Sequence, residues 1–298
     1  MPRLPRLRHW RDVQSLAYLA ALSGLAEWQW VHGFDWRMYG AMLFLTLGVS
    51  VIHHNHTHRR MWRGRWANRA TDFALTLLQG HPTFVFWPAH VANHHRHRHG
   101  PKDAARTYRF GGDTNHLLGY LLHPLQAGAV LYPMFLAWLG RLRRHWPGAW
   151  RYCMAQYALW LGSWGLLLAI DWHKAILFVI LPQLHGLHWL LATNYLQHAH
   201  ADGLSRTANG PLNYARNFEG LINPLLFNIG LHTAHHEASH AHWTELPRLH
   251  REQYRARIDP ALNERGLLPY MARVFFLGAF VPRFRSRSLM RPEAASHS

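Results

Sequence analysis

Met38–Ile52 reads MYGAMLFLTLGVSVI, and the six residues that follow are HHNHTH. The run carries no charge, and nothing in it stops a helix from continuing into the histidines. Three other stretches share this character: Val13–Val31, whose only charge is Glu27, Tyr152–Ile170 and Ala175–Thr193. Each of these three has 19 residues. As a helix that is about 28 Å, close to the ~30 Å hydrocarbon core of a bilayer. His32–Arg37 joins the first pair of stretches and Asp171–Lys174 the second, and both connections are short enough for helical hairpins.

The charges set the orientation. Of 32 Lys and Arg, only Arg37 and Lys174 lie in the two connections, and the other 30 lie outside them and outside the four spans. Positive charge collects on the cytoplasmic side. Both termini and all histidine-rich segments are therefore expected there, in a bacterial inner membrane. Trp28, Trp30, Trp36 and Trp172 fall near the hairpin tips, the level favoured by interfacial aromatics. Phe73–Ala89 and His116–Gly140 are also apolar but are interrupted by His and Pro. Histidines on both sides of His116–Gly140 must share one aqueous face to build one site. That stretch is therefore expected to be interfacial or re-entrant. The expected fold is an all-α integral membrane protein with two transmembrane hairpins, four spans, and a cytoplasmic histidine-rich helical cap. Residues 1–282 are read as one domain and 283–298 as a disordered basic tail.

Composition narrows the function. The 298 residues are 49% hydrophobic and 16% charged, with a formal net charge of +17. The single cysteine, Cys153, excludes a disulfide framework, multi-cysteine zinc sites and cysteine-ligated iron–sulfur clusters. No flavin or dinucleotide motif is present. The basic balance would suit nucleic acid, but the spans put the arginines at a lipid headgroup surface, so no nucleic-acid partner is expected.

Histidine is the unusual residue: 27 are present, and 16 fall in four clusters. The first contains His54 and His58, four apart and so on one helical face; His53 and His58 are an alternative pair. The second is His90-Val-Ala-Asn-His94-His95-Arg-His97-Arg-His99, and the third is Asn194-Tyr-Leu-Gln-His198-Ala-His200. The fourth is His232-Thr-Ala-His235-His236, followed by His240 and His242. Helical spacing puts His90 and His94 on one face with His95 beside them, and puts His232, His235 and His236 on one face. Nine imidazoles are too many for one zinc but suit two metal ions of five or six coordination. Pro182, Gln183, His185 and His188 interrupt the fourth span and serve either a substrate slot or helix–helix hydrogen bonds.

This set of motifs beside helical hairpins resembles the membrane fatty-acid desaturase and hydroxylase superfamily over roughly residues 10 to 250. The third cluster resembles that family's Asn-x-x-x-His element. Asn228–Pro247 resembles its last histidine box. The first box is doubled at His53–His54, and Asn55 stands where many members carry an acid. The resemblance implies two irons held by His54, His58, His90, His94, His95, His198, His232, His235 and His236, with Asn194 holding a metal-bound water. It implies dioxygen as co-substrate, a lipid or acyl-thioester substrate, and an external ferredoxin-like or cytochrome-type electron donor. The implied reaction is desaturation of a fatty acyl chain. Hydroxylation, ketone formation and decarboxylation to a terminal alkene are alternatives, and metal transport is a remote one. A carboxylate is expected behind the imidazoles. Among Asp72, Asp103, Asp202, Glu219 and Glu237, the best placed in sequence is Glu237, next to His236.

Overall fold

Gly33, at φ 94°, turns the chain between two long helices, a conformation that other residues rarely adopt. The computed structural model describes residues 5–204 and 210–290. Its principal helices are α1 (Val13–His32), α2 (Trp36–His58), α3 (Arg65–Gln79), α4 (Leu117–His145), α5 (Pro147–Ala175), α6 (Leu181–His198) and α7 (His232–Glu237). Among the described residues the only strands are Asn217–Phe218 and Asn263–Glu264, which pair in parallel. The chain divides into two compact units, Met1–Pro88 with Pro133–Leu190 and Ala89–Tyr132 with Leu191–Ser298.

In the first unit α1 and α2 form the expected hairpin. Asp35 caps α2 by accepting the N–H groups of Arg37 and Met38 at 2.9 and 3.0 Å. Buried Gln29 ties the turn by accepting the Asp35 N–H at 3.0 Å. Helix α2 has 23 residues, about 34 Å, so one helix carries both the apolar run and the first histidine cluster. The chain leaves helical geometry at Asp171 (φ −157°, ψ 97°). Across that break the Trp164 indole donates to Gln183 Oε1 at 2.7 Å, which closes the second hairpin. Gln183 also donates to the Leu77 carbonyl at 2.6 Å, and the His185 ring meets Thr46 Oγ1 at 2.9 Å. The polar residues of this stretch thus make helix–helix hydrogen bonds.

Pro147–His198, with its break at Asp171, is the one helical stretch among the described residues long and apolar enough, by length and composition, to cross a membrane. Leu161, Leu166 and Ile170 are exposed on it, the kind of apolar surface that marks contact with lipid or another protein. The first hairpin is less apolar because Gln14, Glu27, Gln29 and the histidines interrupt it. The stretch expected to be interfacial or re-entrant is one unbroken helix, α4, of 29 residues. That continuity removes the re-entrant alternative, because a chain cannot turn back within one helix.

In the second unit, Tyr195, Leu196, Phe218, Tyr270 and Phe275 pack around the end of α6. Arg216 is buried and donates to the Leu196 and Ala199 carbonyls at 3.3 and 2.8 Å, satisfying groups a helix end leaves open. Residues 283–290, expected to belong to a disordered tail, are held here. Ser286 Oγ accepts from Asn115 at 2.8 Å and meets the His200 ring at 2.8 Å, and the Leu289 N–H donates to the His200 carbonyl at 3.1 Å. Residues 291–298 lie outside the described residues.

Candidate metal centre

The second unit gathers imidazoles from three of the four clusters. Helix α6 ends at His198, whose Nδ1 lies 2.8 Å from the Tyr214 carbonyl. A carbonyl only accepts, so the proton sits on Nδ1 and Nε2 keeps its lone pair. That Nε2 is 3.0 Å from His232 Nε2, which is itself 3.1 Å from His236 Nε2. Asn217 fixes the start of α7: its Oδ1 accepts the Thr233 N–H at 3.0 Å and its Nδ2 donates to Thr233 Oγ1 at 2.9 Å. His94 completes the group. The ligand atoms of His94, His198, His232 and His236 all lie within 4.8 Å of one another, and all four residues are buried.

A second convergence lies in the same unit. His95 Nε2 is 3.1 Å from His90 Nε2 and 3.1 Å from His235 Nε2. The cause is a π-helical turn at His90–His94, where the His95 N–H reaches the His90 carbonyl five residues back. Spacing read as an α-helix pairs His90 with His94. The π turn instead pairs His90 with His95 and sends His94 to the other group. In α7, His232 and His236 go to one group and His235 to the other. Adjacent residues on a helix point about 100° apart, so one short helix can serve two centres.

In the first unit His54 and His58 face each other at the end of α2, with ring centroids 5.0 Å apart. His53 turns away from this pair: its ring packs against His81 and Phe86, and its Nε2 is 3.5 Å from the Thr83 carbonyl. His56 points elsewhere again, 3.4 Å from Asp72.

Asp103 touches one of these histidines directly, whereas Glu237 reaches them only through Tyr214. Asp103 is completely buried and its Oδ2 lies 2.7 Å from His94 Nδ1. It also accepts the N–H groups of His99 and Ala105, each at 2.8 Å. Burial opposes its ionisation, but His94 and the two N–H donors outweigh that and hold it below the usual carboxylate range. The chain turns back to bring Asp103 to His94 through two left-handed residues, Arg98 (φ 42°) and His99 (φ 68°). Gly203 packs so closely on this turn that a Cβ there would meet the His99 carbonyl oxygen at 2.3 Å. Glu237 accepts from Arg98 and, at 2.7 Å, from the Tyr214 hydroxyl. It braces the residue whose carbonyl holds His198. Asn194 donates to the Ala105 carbonyl at 2.7 Å and lies 3.2 Å from His123 Nε2. The one signal for Asp103 in the sequence is that it is the sole acid among Arg96, Arg98, Lys102, Arg106 and Arg109.

These residues suit a metal. His232 Nε2 lies 3.0 Å from His198 Nε2 and 3.1 Å from His236 Nε2, and shared protons cannot satisfy both contacts, since one proton serves two lone pairs at most. The outer nitrogens of His94 and His198 are held from behind, as in metal-ligating histidines. Burial, followed by the neighbouring imidazoles, pushes His236 well below the usual histidine range, so it is a neutral donor at ordinary pH. Buried His236 Nδ1 has no hydrogen-bond partner.

A family model described as fatty acid desaturase matches residues 28–266. The chain belongs to the fatty acid desaturase family. This desaturase-family protein is accordingly an oxidoreductase of a membrane-associated, lipid-acting family, with histidine groups able to hold metal. No curated protein matches its sequence.

Proposed function

We propose that the protein is a dioxygen-dependent diiron oxidase that desaturates a fatty acyl chain, using electrons from a separate carrier. The observation that carries this reading is the pair of convergent imidazole groups in the second unit. His94, His198, His232 and His236 would hold one iron. His90, His95 and His235 would belong to the other, and Asn194 would orient a bound water; His54 and His58 are the remaining ligands that the family resemblance implies. When bound, two irons supply the oxidising power to take hydrogen from an unactivated C–H bond. The overall balance is two hydrogens from the acyl chain, one dioxygen, two further electrons and two protons, giving an alkene and two waters.

The chain's own residues do three things toward this. Burial pushes His198 and His236 well below the usual histidine range, which favours neutral imidazoles that present lone pairs. Asp103 and the Tyr214 carbonyl fix the tautomers of His94 and His198, so that Nε2 points inward in each. The basic segment around Arg96, Lys102 and Arg106 offers a docking face to an acidic electron donor, acyl-carrier protein or coenzyme A ester. Hydroxylation, ketone formation or decarboxylation would use the same residues, because the outcomes diverge only after the first hydrogen is removed. Metal transport fits less well, since most clustered histidines lie outside the apolar runs rather than along a path through them.

Membranes containing the protein, given an external reductase, dioxygen and a panel of acyl chains, test the reading. The expected product has lost two hydrogens by mass spectrometry. Gain of one oxygen would mean hydroxylation, and loss of carbon dioxide would mean a terminal alkene. Turnover that persists without dioxygen rejects oxidative chemistry altogether.

The same reading places four spans in the membrane with both termini in the cytoplasm. Accessibility tags at the N-terminus, near Lys102 and at the C-terminus are expected to report the cytoplasm, and tags at Gly33 and His173 the opposite side. A tag near Lys102 on the far side would separate the histidine clusters across the bilayer and end the single-centre assignment.

A further inference from the structure

The metal chemistry leaves unused a cavity of about 700 Å³ in the first unit. Five arginines line it, Arg8, Arg60, Arg63, Arg65 and Arg69, against one carboxylate, Asp72. Asp72 is already occupied: Arg60 and Tyr152 both donate to it, and His56 lies 3.4 Å away. Among the described residues no carboxylate pairs with Arg8, Arg63, Arg65 or Arg69. Four positive charges thus surround one opening without an internal counter-charge.

The arginines are also held in place. Arg69 lies over the rings of Trp66 and Tyr152 at 5.0 and 5.5 Å, and Arg65 lies over Trp66 at 5.2 Å. Arg60 lies over Phe84 at 4.9 Å. Arg8 and Arg63 sit beside an antiparallel bridge between Leu7 and Trp62, closed by Arg8 N–H to the Met61 carbonyl at 2.8 Å and Arg63 N–H to the Arg6 carbonyl at 2.9 Å. Arg8 Nε donates to the Trp62 carbonyl at 3.1 Å. The guanidinium forks of Arg8, Arg60, Arg65 and Arg69, held in this way, lose little freedom when they bind, and their planar donors match phosphate oxygens; at Arg63 only the backbone is tied. Phe84, Trp87, Trp138 and Leu142 give the cavity an apolar side as well. A free inorganic anion would use only the basic side of such a cavity. An amphiphile with an anionic head would use both sides.

We propose that this cavity binds the phosphodiester headgroup of an anionic phospholipid, with the phosphate on the arginines and the start of the acyl region against Trp87, Trp138 and Leu142. The proposal rests on the membrane reading, which sets these arginines at headgroup level. It does not rest on the identity of the metal or of the product. A zwitterionic headgroup would bring its own cation toward four arginines, so the site discriminates against phosphatidylcholine.

The test uses full-length protein, stripped of lipid in neutral detergent, with phosphatidylglycerol or phosphatidylcholine titrated in and lipid adducts counted by native mass spectrometry. One tightly held phosphatidylglycerol is expected, bound at least about tenfold more tightly than phosphatidylcholine. The R63Q/R65Q/R69Q variant should bind it roughly a hundredfold more weakly, each basic residue at an anionic surface contributing about fivefold. The R63K/R65K/R69K variant should fall between the wild type and the glutamine variant, since it keeps the charge but loses the planar forks and their stacking on Trp66 and Tyr152. Metal content and the melting curve report whether each variant folds, and R63Q alone, at an exposed position, serves if the triple variant does not. Equal affinity for the two lipids overturns the proposal. So does undiminished phosphatidylglycerol binding in a folded glutamine variant. Displacement of the lipid by equimolar inorganic phosphate or coenzyme A also overturns it, by assigning the arginines to a soluble phosphate ligand.

Discussion

Replacing His236 by alanine is expected to lower iron from about two per chain to about one and to reduce acyl-chain turnover by more than about a hundredfold. The size follows from position. Loss of a group that only supports a metal ligand costs ten- to hundredfold in affinity or activity. His236 is one of four buried imidazoles whose ligand atoms lie within 4.8 Å of one another, so its loss acts on the centre directly. His240 is exposed four residues further on and provides the control. His240→Ala should change both quantities by no more than about twofold, as surface substitutions usually do. Elemental analysis of purified protein and mass spectrometry of the lipid products give the two readouts. A His236→Ala protein that keeps two irons and full turnover would remove this histidine, and the four-imidazole group, from the centre.

Asp103→Asn should cost ten- to hundredfold in iron affinity or activity, roughly 1.4 to 2.7 kcal/mol. Asparagine keeps the shape but not the charge, and only one of its two polar termini accepts hydrogen bonds. It must therefore fail one of its contacts, the His94 ring at 2.7 Å on Oδ2 or the Ala105 N–H at 2.8 Å on Oδ1. Either failure disturbs His94, directly through its tautomer or indirectly through the turn that carries Asp103. Glu237→Gln should cost less, because Glu237 reaches the centre only through Tyr214. Chelator competition measures the affinities. Equal losses in the two variants would mean that Asp103 has no special hold on His94.

Much of the site was legible because its elements are local. The His54–His58 pair, with rings 5.0 Å apart, follows from four-residue spacing on a helix that runs unbroken from Trp36 to His58. Both hairpins were readable from apolar runs free of Lys and Arg joined by short polar connections, since a segment with almost no charge has few alternatives to burial or lipid. The choice between His53 and His54 was not readable. Both lie on one helix, and in the structure His53 packs against Phe86 and His81 while His54 faces His58.

By itself, then, the sequence determined the helical segments, the histidine clusters and the family they point to. Those depend on composition and on intervals within single elements. Tertiary structure alone decided how the histidines divide. One extra residue in the turn at His90–His94 changes which imidazoles face each other, and a backbone hydrogen-bond register leaves no trace in spacing. It also decided which carboxylate serves them. Asp103 lies nine residues beyond His94, outside any helical repeat, and reaches it only because Arg98 and His99 adopt left-handed backbone and Gly203 leaves room for the turn. Contacts made by a chain folding back on itself depend on the path of the backbone between them, and that path is set by packing rather than by the period of the residues it joins.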